Sequence, residues 1–122
     1  MAMAVREESG VPIVEGAPGA MLIQRAQDAT LVLEACFSVP ASAALLYPEN
    51  LTPRFFDLSS GEAGDVLDKF RRYQIRLAIV CRPGTVQFSG RFTEILSDDM
   101  RIFETPEAAR QWLAGQDRLS SP

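Results

Sequence analysis

Three carboxylates lie between two apolar runs, and they are the first candidates for chemistry in this sequence. Glu49 follows the apolar run Ala43–Tyr47, while Asp57 and Glu62 precede the next run, Ile75–Cys81. A carboxylate that neighbouring aromatic rings partly desolvate has a raised pKa and can act as a general acid or base. The chain contains no histidine, so a carboxylate is the natural group for proton transfer.

The same region carries the candidate binding residues, and each of them also has a purely structural explanation. Phe55 and Phe56 belong to the core, or an exposed member lines a ligand site or an interface. Asn50 and Asp57 contribute to a polar pocket, or they hold their loop through hydrogen bonds to the backbone. The full set of binding candidates is Asn50, Phe55, Phe56, Ser59, Ser60, Cys81 and Arg82.

The serines and Cys81 have specific chemical interpretations. Ser59 and Glu62 have the Ser-x-x-Glu spacing of a capping box, in which Ser59 is simply the helix cap. Cys81 lies beside Arg82, whose charge would favour the thiolate and therefore a reactive thiol; the alternative is a packing cysteine. Cys36, on a predicted helix face, is expected in the core.

The elements that would position these residues form a β–loop–α–β unit from Ala43 to Cys81. Each apolar run predicts a strand that is covered on both faces. The helix between them has an apolar face with spacings of three and four residues, made of Ala63, Val66, Leu67, Phe70 and Tyr73. A helical crossover implies parallel strands, so we expect the loop after Tyr47 and the segment at Cys81 to emerge at the same rim.

Before this unit, residues 1–10 are predicted to be a flexible lead-in. A β-hairpin is expected to follow, with strands at Val11–Val14 and Ala20–Ile23. The next predicted helix runs from about Gln24 to Phe37. Its buried stripe is predicted to be Ala29, Val32, Leu33, Cys36 and Phe37.

After the unit, a short amphipathic helix is predicted around Phe88–Leu96, followed by a strand at Arg101–Phe103. Thr105-Pro106-Glu107 is typical of a helix start, and Gly115 is the predicted stop, with Trp112 facing inward. The domain is therefore expected to span residues 11–115, and residues 116–122 are expected to form a polar tail.

Composition narrows the functional classes. The chain has 122 residues, a net charge of −4 and 47% hydrophobic residues, which indicates one globular domain. An acidic chain is a poor partner for nucleic acid. We expect no cofactor, since no phosphate-cradling or metal-type spacing is present. No apolar run is long enough to span a membrane and no signal peptide is recognisable, so a cytoplasmic bacterial protein without a membrane partner is expected.

The stretch NLTPRFFDLSSGEAGDVLDKFRRYQIRLAIV, with QDATLVLEACF upstream and ETPEAARQWL downstream, resembles a small bacterial family, domain-of-unknown-function family 4180. The resemblance covers about Met21–Ala114. It implies a STAS-like α/β domain, similar to anti-sigma-factor antagonists, in which a strand leads through a loop to a helix whose start carries a regulatory site. In those antagonists a serine at the helix start takes phosphate, so the resemblance implies Ser59 or Ser60 as the acceptor, where a phosphate would meet free backbone N–H groups. The chain departs from the family pattern at Ile95–Asp99 and at Cys81–Arg82.

The sequence thus predicts a single α/β domain with a four- to five-stranded mixed sheet, an N-terminal hairpin, a parallel centre and about four helices. Two functions remain open. The first is a non-enzymatic binding or regulatory module that works through the Asn50–Gly61 loop and the following helix, on a protein partner or a small ligand, with a homodimer as one expected form. The second is a small cofactor-independent enzyme of the lyase, isomerase or cyclase type, or a small-molecule-binding protein. Its acidic pocket at the carboxyl ends of the strands would be made of Glu49, Asp57 and Glu62, assisted by Arg82 or Cys81.

Overall fold

A computed structural model describes residues 3–17, 19–57, 61–81 and 99–119 of the chain, which form one five-stranded mixed sheet with helices on both faces. The sheet order β1-β2-β3-β4-β5 follows the chain. This confirms the predicted α/β class, the opening hairpin and the parallel centre. The elements are β1 (Met3–Glu8), β2 (Val11–Gly16), α1 (Ala29–Ser38), β3 (Ala43–Leu46), α2 (Glu62–Arg72), β4 (Arg76–Val80), β5 (Met100–Phe103) and α3 (Pro106–Leu119).

The opening hairpin lies earlier in the chain than predicted. β1 pairs antiparallel with β2 across a two-residue turn, in which Ser9 (φ 53°) and Gly10 (φ 84°) both have positive φ, as a type I′ turn requires. The expected flexible lead-in and the expected strand at 20–23 are therefore wrong, apart from a single bridge between Ile23 and Leu51. β1 escaped prediction because it is an edge strand with mostly exposed side chains, and such strands carry charges rather than an apolar pattern.

The remaining strands pair in parallel, as the central β–loop–α–β unit predicted. β3 lies beside β4 in a register that places Leu46 opposite Ile79, and β4 lies beside β5 with Val80 opposite Phe103. All four residues of β3 are buried, which agrees with the continuous apolar run in the sequence.

The two faces of the sheet are covered by different helices. Both α1 and α2 pack on one face, whereas α3 packs on the other. The buried strand residues on the α1/α2 face are Val14, Ala44, Leu46, Leu77, Ile79 and Met100. Those on the α3 face are Ile13, Ala43, Leu45, Ala78 and Val80.

Three details of the helices differ from the sequence prediction. α2 begins at Glu62 with Gly61 as its N-cap in the left-handed conformation (φ 78°), so Glu62 cannot be the third helical residue of a capping box that starts at Ser59. Phe37 and Tyr73, both assigned to buried stripes, are about half exposed. α3 continues past the expected stop at Gly115 to Leu119, because a glycine inside a helix costs only about 1 kcal/mol.

Several predicted features lie outside the described residues. These are the turn after Cys81, the helix at Phe88–Leu96, and the candidate site residues Ser59, Ser60 and Arg82. Within the described part of the chain, no helix combines the length and the apolar character needed to cross a membrane.

Candidate functional site

The carboxyl ends of β3 and β4 form the rim at which the sequence predicted a site. Because the two strands are parallel and in register, the segment after Tyr47 and the segment at Cys81 leave the sheet at the same edge. Burial first, and then the charge of Glu49, raises the pKa of the Cys81 thiol at this edge. The predicted shared rim is therefore confirmed.

Asn50 lies at this rim and acts as a structural clamp. It ends a short 3₁₀ turn, Pro48–Asn50, and its side chain is fully buried. Its Oδ1 accepts a hydrogen bond from the backbone N–H of Tyr47 (2.8 Å), and its Nδ2 donates to the carbonyl oxygens of Ala17 (2.8 Å) and Ala20 (2.7 Å). These three bonds, which we call the amide clamp, tie the β2–α1 loop to the β3–α2 loop.

The backbone around Asn50 strengthens the same connection. The carbonyl oxygen of Asn50 accepts hydrogen bonds from the N–H groups of Leu22 (3.0 Å) and Ile23 (2.9 Å), and Ile23 forms a parallel bridge with Leu51. Gly16 passes so close that an added Cβ would overlap Asn50 Oδ1 and lie 2.7 Å from Asn50 Cγ. The loop structure therefore needs the amide of Asn50, and it needs a residue without a side chain at position 16.

The two aromatic candidates of the loop belong to the core. Phe55 and Phe56 are 1% and 3% exposed, and their rings make an edge-to-face contact with centroids 5.2 Å apart. They pack on the α1/α2 face with residues such as Leu67 and Phe70. Neither ring lines an open ligand site, so their role in the loop is to anchor it to the core.

The three carboxylates that the sequence proposed for catalysis do not share a desolvated environment. Glu49 and Asp57 are exposed and Glu62 is half-buried. Within the described ranges, no three metal-binding side chains are grouped so that they could hold an ion. The rim therefore presents acidic groups to solvent.

The expectation of a reactive thiol at Cys81 is not supported by its environment. Burial, with a smaller contribution from Glu49, raises the pKa of Cys81 to about 12. Burial alone raises the pKa of Cys36 to about 12. Both thiols are therefore protonated at neutral pH, and Cys36 is in the core as predicted.

A second polar cluster, which the sequence analysis missed, lies on the α3 face near the carboxyl end of β2. Glu15 is 8% exposed and accepts two hydrogen bonds from Arg110 of α3, from Nε at 2.7 Å and from Nη2 at 3.0 Å. Arg6 of β1 lies 3.4 Å from the same carboxylate. The pKa of Tyr47 is raised, first by burial and then by the charge of Glu15.

This cluster joins β1, β2, the end of β3 and α3, so its evident role is to fix α3 on the sheet. Glu15 uses both carboxylate oxygens in the bidentate pair, which leaves it poorly suited to proton transfer. The available sequence signal was a lone acid at the end of the apolar strand Val11–Gly16. Its partner is 95 residues away, and no local pattern points to it.

One comparison with known proteins bears on this chain. The model of the family described as Domain of unknown function (DUF4180) matches residues 8–113. No curated protein matches the chain.

Proposed function

We propose that this chain, which belongs to the family described as Domain of unknown function (DUF4180), is a non-enzymatic binding module. Its binding surface is the exposed side of the Asn50–Gly61 loop together with the start of α2. The occupant is a protein partner that carries lysine or arginine residues. The observation that carries this proposal is a loop that is anchored to the protein interior yet presents its acids to water.

The anchoring gives residues 50–57 of the loop a fixed shape before a partner arrives. The amide clamp holds its beginning, and the buried rings of Phe55 and Phe56 hold its middle. A surface that is already ordered loses little conformational entropy on binding, and this favours affinity.

The exposed charges of this surface indicate the chemistry of the partner. Glu49, Asp57 and Asp65 are exposed, and Glu62 at the first position of α2 is half-buried. Among the side chains of this surface that the structure describes, the charged ones are all acidic. Acidic charge accelerates association with a basic partner and selects against acidic partners. A basic patch on another protein fits this surface.

A STAS-like relationship is part of this proposal. In STAS-like domains a strand leads through a loop to a helix whose start carries a regulatory site. The order β3, loop, α2 follows the same scheme here, and the loop is the segment that the proposal assigns to binding.

The alternative, a cofactor-independent enzyme with an acidic pocket, receives less support from the geometry. Such an enzyme needs a desolvated carboxylate, whereas Glu49 and Asp57 face solvent. Open α/β sheets form ligand crevices where the strand order reverses. β2, β3 and β4 are neighbours in chain order with both crossover helices on one face, so no reversal occurs between them.

Charge reversal at the rim tests the proposed function. Proteins that co-purify with the wild-type chain are identified, and the affinity of each purified candidate is measured for the wild type, Glu49→Lys and Asp57→Lys. We expect each substitution to weaken binding about fivefold at low salt and to reduce the salt dependence of association.

The control is Glu7→Lys, because Glu7 is an exposed acid of β1 away from this rim. It should change the affinity less than twofold. Partners that bind the two rim variants as tightly as the wild type would refute the assignment of the surface.

A further inference from the structure

The opposite pole of the molecule carries an exposed aromatic pair, far from the proposed binding loop. Phe37, near the end of α1, and Tyr73, which follows α2, are 51% and 50% exposed. Their rings touch edge to face, with centroids 5.1 Å apart. Since α1 and α2 both run back along the parallel strands, this pair lies where the strands begin.

The outer face of α1 is unusually apolar for a helix that faces water. α1 contains one charged residue, Glu34, and leaves Leu31 and Phe37 about half exposed. By contrast, α2 has the polar outer face that is typical of a surface helix.

The charges around the aromatic pair are divided between the two helices. Glu34 lies one turn before Phe37 on α1, and Lys69 lies one turn before Tyr73 on α2. The last turn of α1 has no basic residue, whereas that of α2 has Lys69, Arg71 and Arg72. Within the described part of the chain, Glu34 and Lys69 form no ion pair with each other or with other groups.

This surface is complementary to itself. From its geometry we infer that the groove between α1 and α2, with Glu34, Phe37, Lys69, Arg72 and Tyr73, is the interface of a homodimer. The two-fold axis runs along the groove, so that α1 of one copy lies over α2 of the other.

With the axis in this direction, a residue of α1 faces the residue of the other copy's α2 that lies at the same level along the groove. Phe37 and Tyr73 of one copy meet Tyr73 and Phe37 of the second copy, and Glu34 meets the other copy's Lys69. The basic end of α2 also comes to the carbonyl end of the opposite α1, where positive charge is favourable. An axis across the groove would instead oppose the two Glu34 side chains, which repel each other.

The first test is the mass in solution. Sedimentation equilibrium of the wild type should give twice the 13.4 kDa of one chain, with dissociation on dilution. Phe37→Ser should raise the dissociation constant at least tenfold, because central aromatic residues dominate interface energies. Val5→Ser is the matched control, since Val5 is 53% exposed on edge strand β1, and it should leave the constant unchanged.

A charge-swap experiment tests the register. Glu34→Lys and Lys69→Glu should each give monomers, because each variant opposes like charges across the interface. An equimolar mixture of the two should regain the dimer mass, since the mixed dimer restores both ion pairs. Circular dichroism shows whether each variant is folded, and Glu34→Gln replaces Glu34→Lys if the latter unfolds; Glu34→Gln alone should weaken the dimer.

Three results would overturn the inference. They are a wild-type chain that stays monomeric at about 1 mM, a Val5→Ser variant that dissociates as readily as Phe37→Ser, and a mixture of folded charge variants that stays monomeric. The rim variants at Glu49 and Asp57 should dimerise normally, so failure of the proposed binding surface and failure of this interface are distinguishable.

Discussion

Replacing Asn50 with aspartate changes one group of the amide clamp and makes its energetics measurable. The Oδ1 bond from the Tyr47 N–H survives, but the two bonds that Nδ2 donates to Ala17 and Ala20 are lost. An ionised carboxylate would instead face two carbonyl oxygens at a fully buried position. The protein therefore favours the protonated acid, and the pKa of the introduced carboxyl rises above its unfolded value of ~3.9.

The expected magnitudes follow from the number of bonds lost. A buried hydrogen bond contributes a net ~1 kcal/mol, so Asn50→Ala, which removes three, should lower the free energy of unfolding by about 3 kcal/mol. Asn50→Asp loses two bonds and adds a pH-dependent cost. Because its folded pKa is raised, the folded state holds the proton longer than the unfolded state. The cost is therefore small below the unfolded pKa and grows by ~1.4 kcal/mol per pH unit until the folded pKa is reached.

The assay is urea unfolding, followed by circular dichroism at pH 5.5 and pH 7.5. The wild type, Asn50→Ala and Asn50→Asp are compared with Glu49→Gln, an adjacent control at an exposed position. The loss for Asn50→Ala should be the same at both pH values. The loss for Asn50→Asp should be larger at pH 7.5 by up to ~2.8 kcal/mol, which is two pH units at ~1.4 kcal/mol each. An Asn50→Asp loss that is under ~1 kcal/mol at pH 7.5, or that is smaller at pH 7.5 than at pH 5.5, would refute the clamp.

Three further predictions concern the neighbouring packing. Gly16→Ala should lower the free energy of unfolding by about 2–3 kcal/mol, because its Cβ displaces the amide of the clamp. The loss should be smaller when Gly16→Ala is combined with Asn50→Ala, and a double-mutant cycle in urea measures the difference. Arg110→Met should lower the free energy of unfolding by about 3–5 kcal/mol, since it leaves the buried Glu15 charge without its main partner. The Arg110→Met/Glu15→Gln double variant should recover part of this loss. A larger loss in the double variant would contradict the role of Arg110 as the partner of the Glu15 charge. Cys36 and Cys81 should react with iodoacetamide at pH 8 about a thousandfold more slowly than a free thiol, because their pKa values rise from 9.0 to about 12, and urea should restore the ordinary rate; fast labelling of the folded protein would contradict their burial.

The fold was largely predictable where burial dictated the sequence pattern. β3 and β4 are buried on both faces, so their sequences are continuous apolar runs, and α2 has a clear period of three and four residues. These signals were sufficient for the parallel pairing and the shared rim. β1 could not be found in the same way, because an exposed edge strand has no apolar face to show; the Ser9-Gly10 turn was its only local sign.

The helix boundaries that were missed have a related cause. The spacing of Ser59 and Glu62 fits a capping box, but the left-handed conformation of Gly61 makes that glycine the N-cap. Phe37 fits the apolar period of α1, yet it lies at the edge of the stripe, over the groove rather than over the sheet. Periodicity gives the centre of a helix face more reliably than its margins.

The roles within the site were less predictable, because they depend on contacts between distant segments. The sequence offered both a pocket role and a loop-holding role for Asn50, and the clamp corresponds to the second. Its acceptors, the carbonyls of Ala17 and Ala20, lie 33 and 30 residues upstream. The pair formed by Glu15 and Arg110 spans 95 residues. Backbone carbonyls and distant partners leave no local pattern in a sequence.

The arrangement of α1 and α2 links the two surfaces that we propose. α1 and α2 cover the same face of an in-order sheet, so the strand order does not reverse between β3 and β4, and reversal is where open sheets form ligand crevices. The loop surface lies where the parallel strands end, and the aromatic groove lies where they begin. Dimerisation through the groove would therefore leave both loop surfaces exposed and present two of them on one particle. A partner with two basic patches would then bind with an avidity that a single copy does not offer.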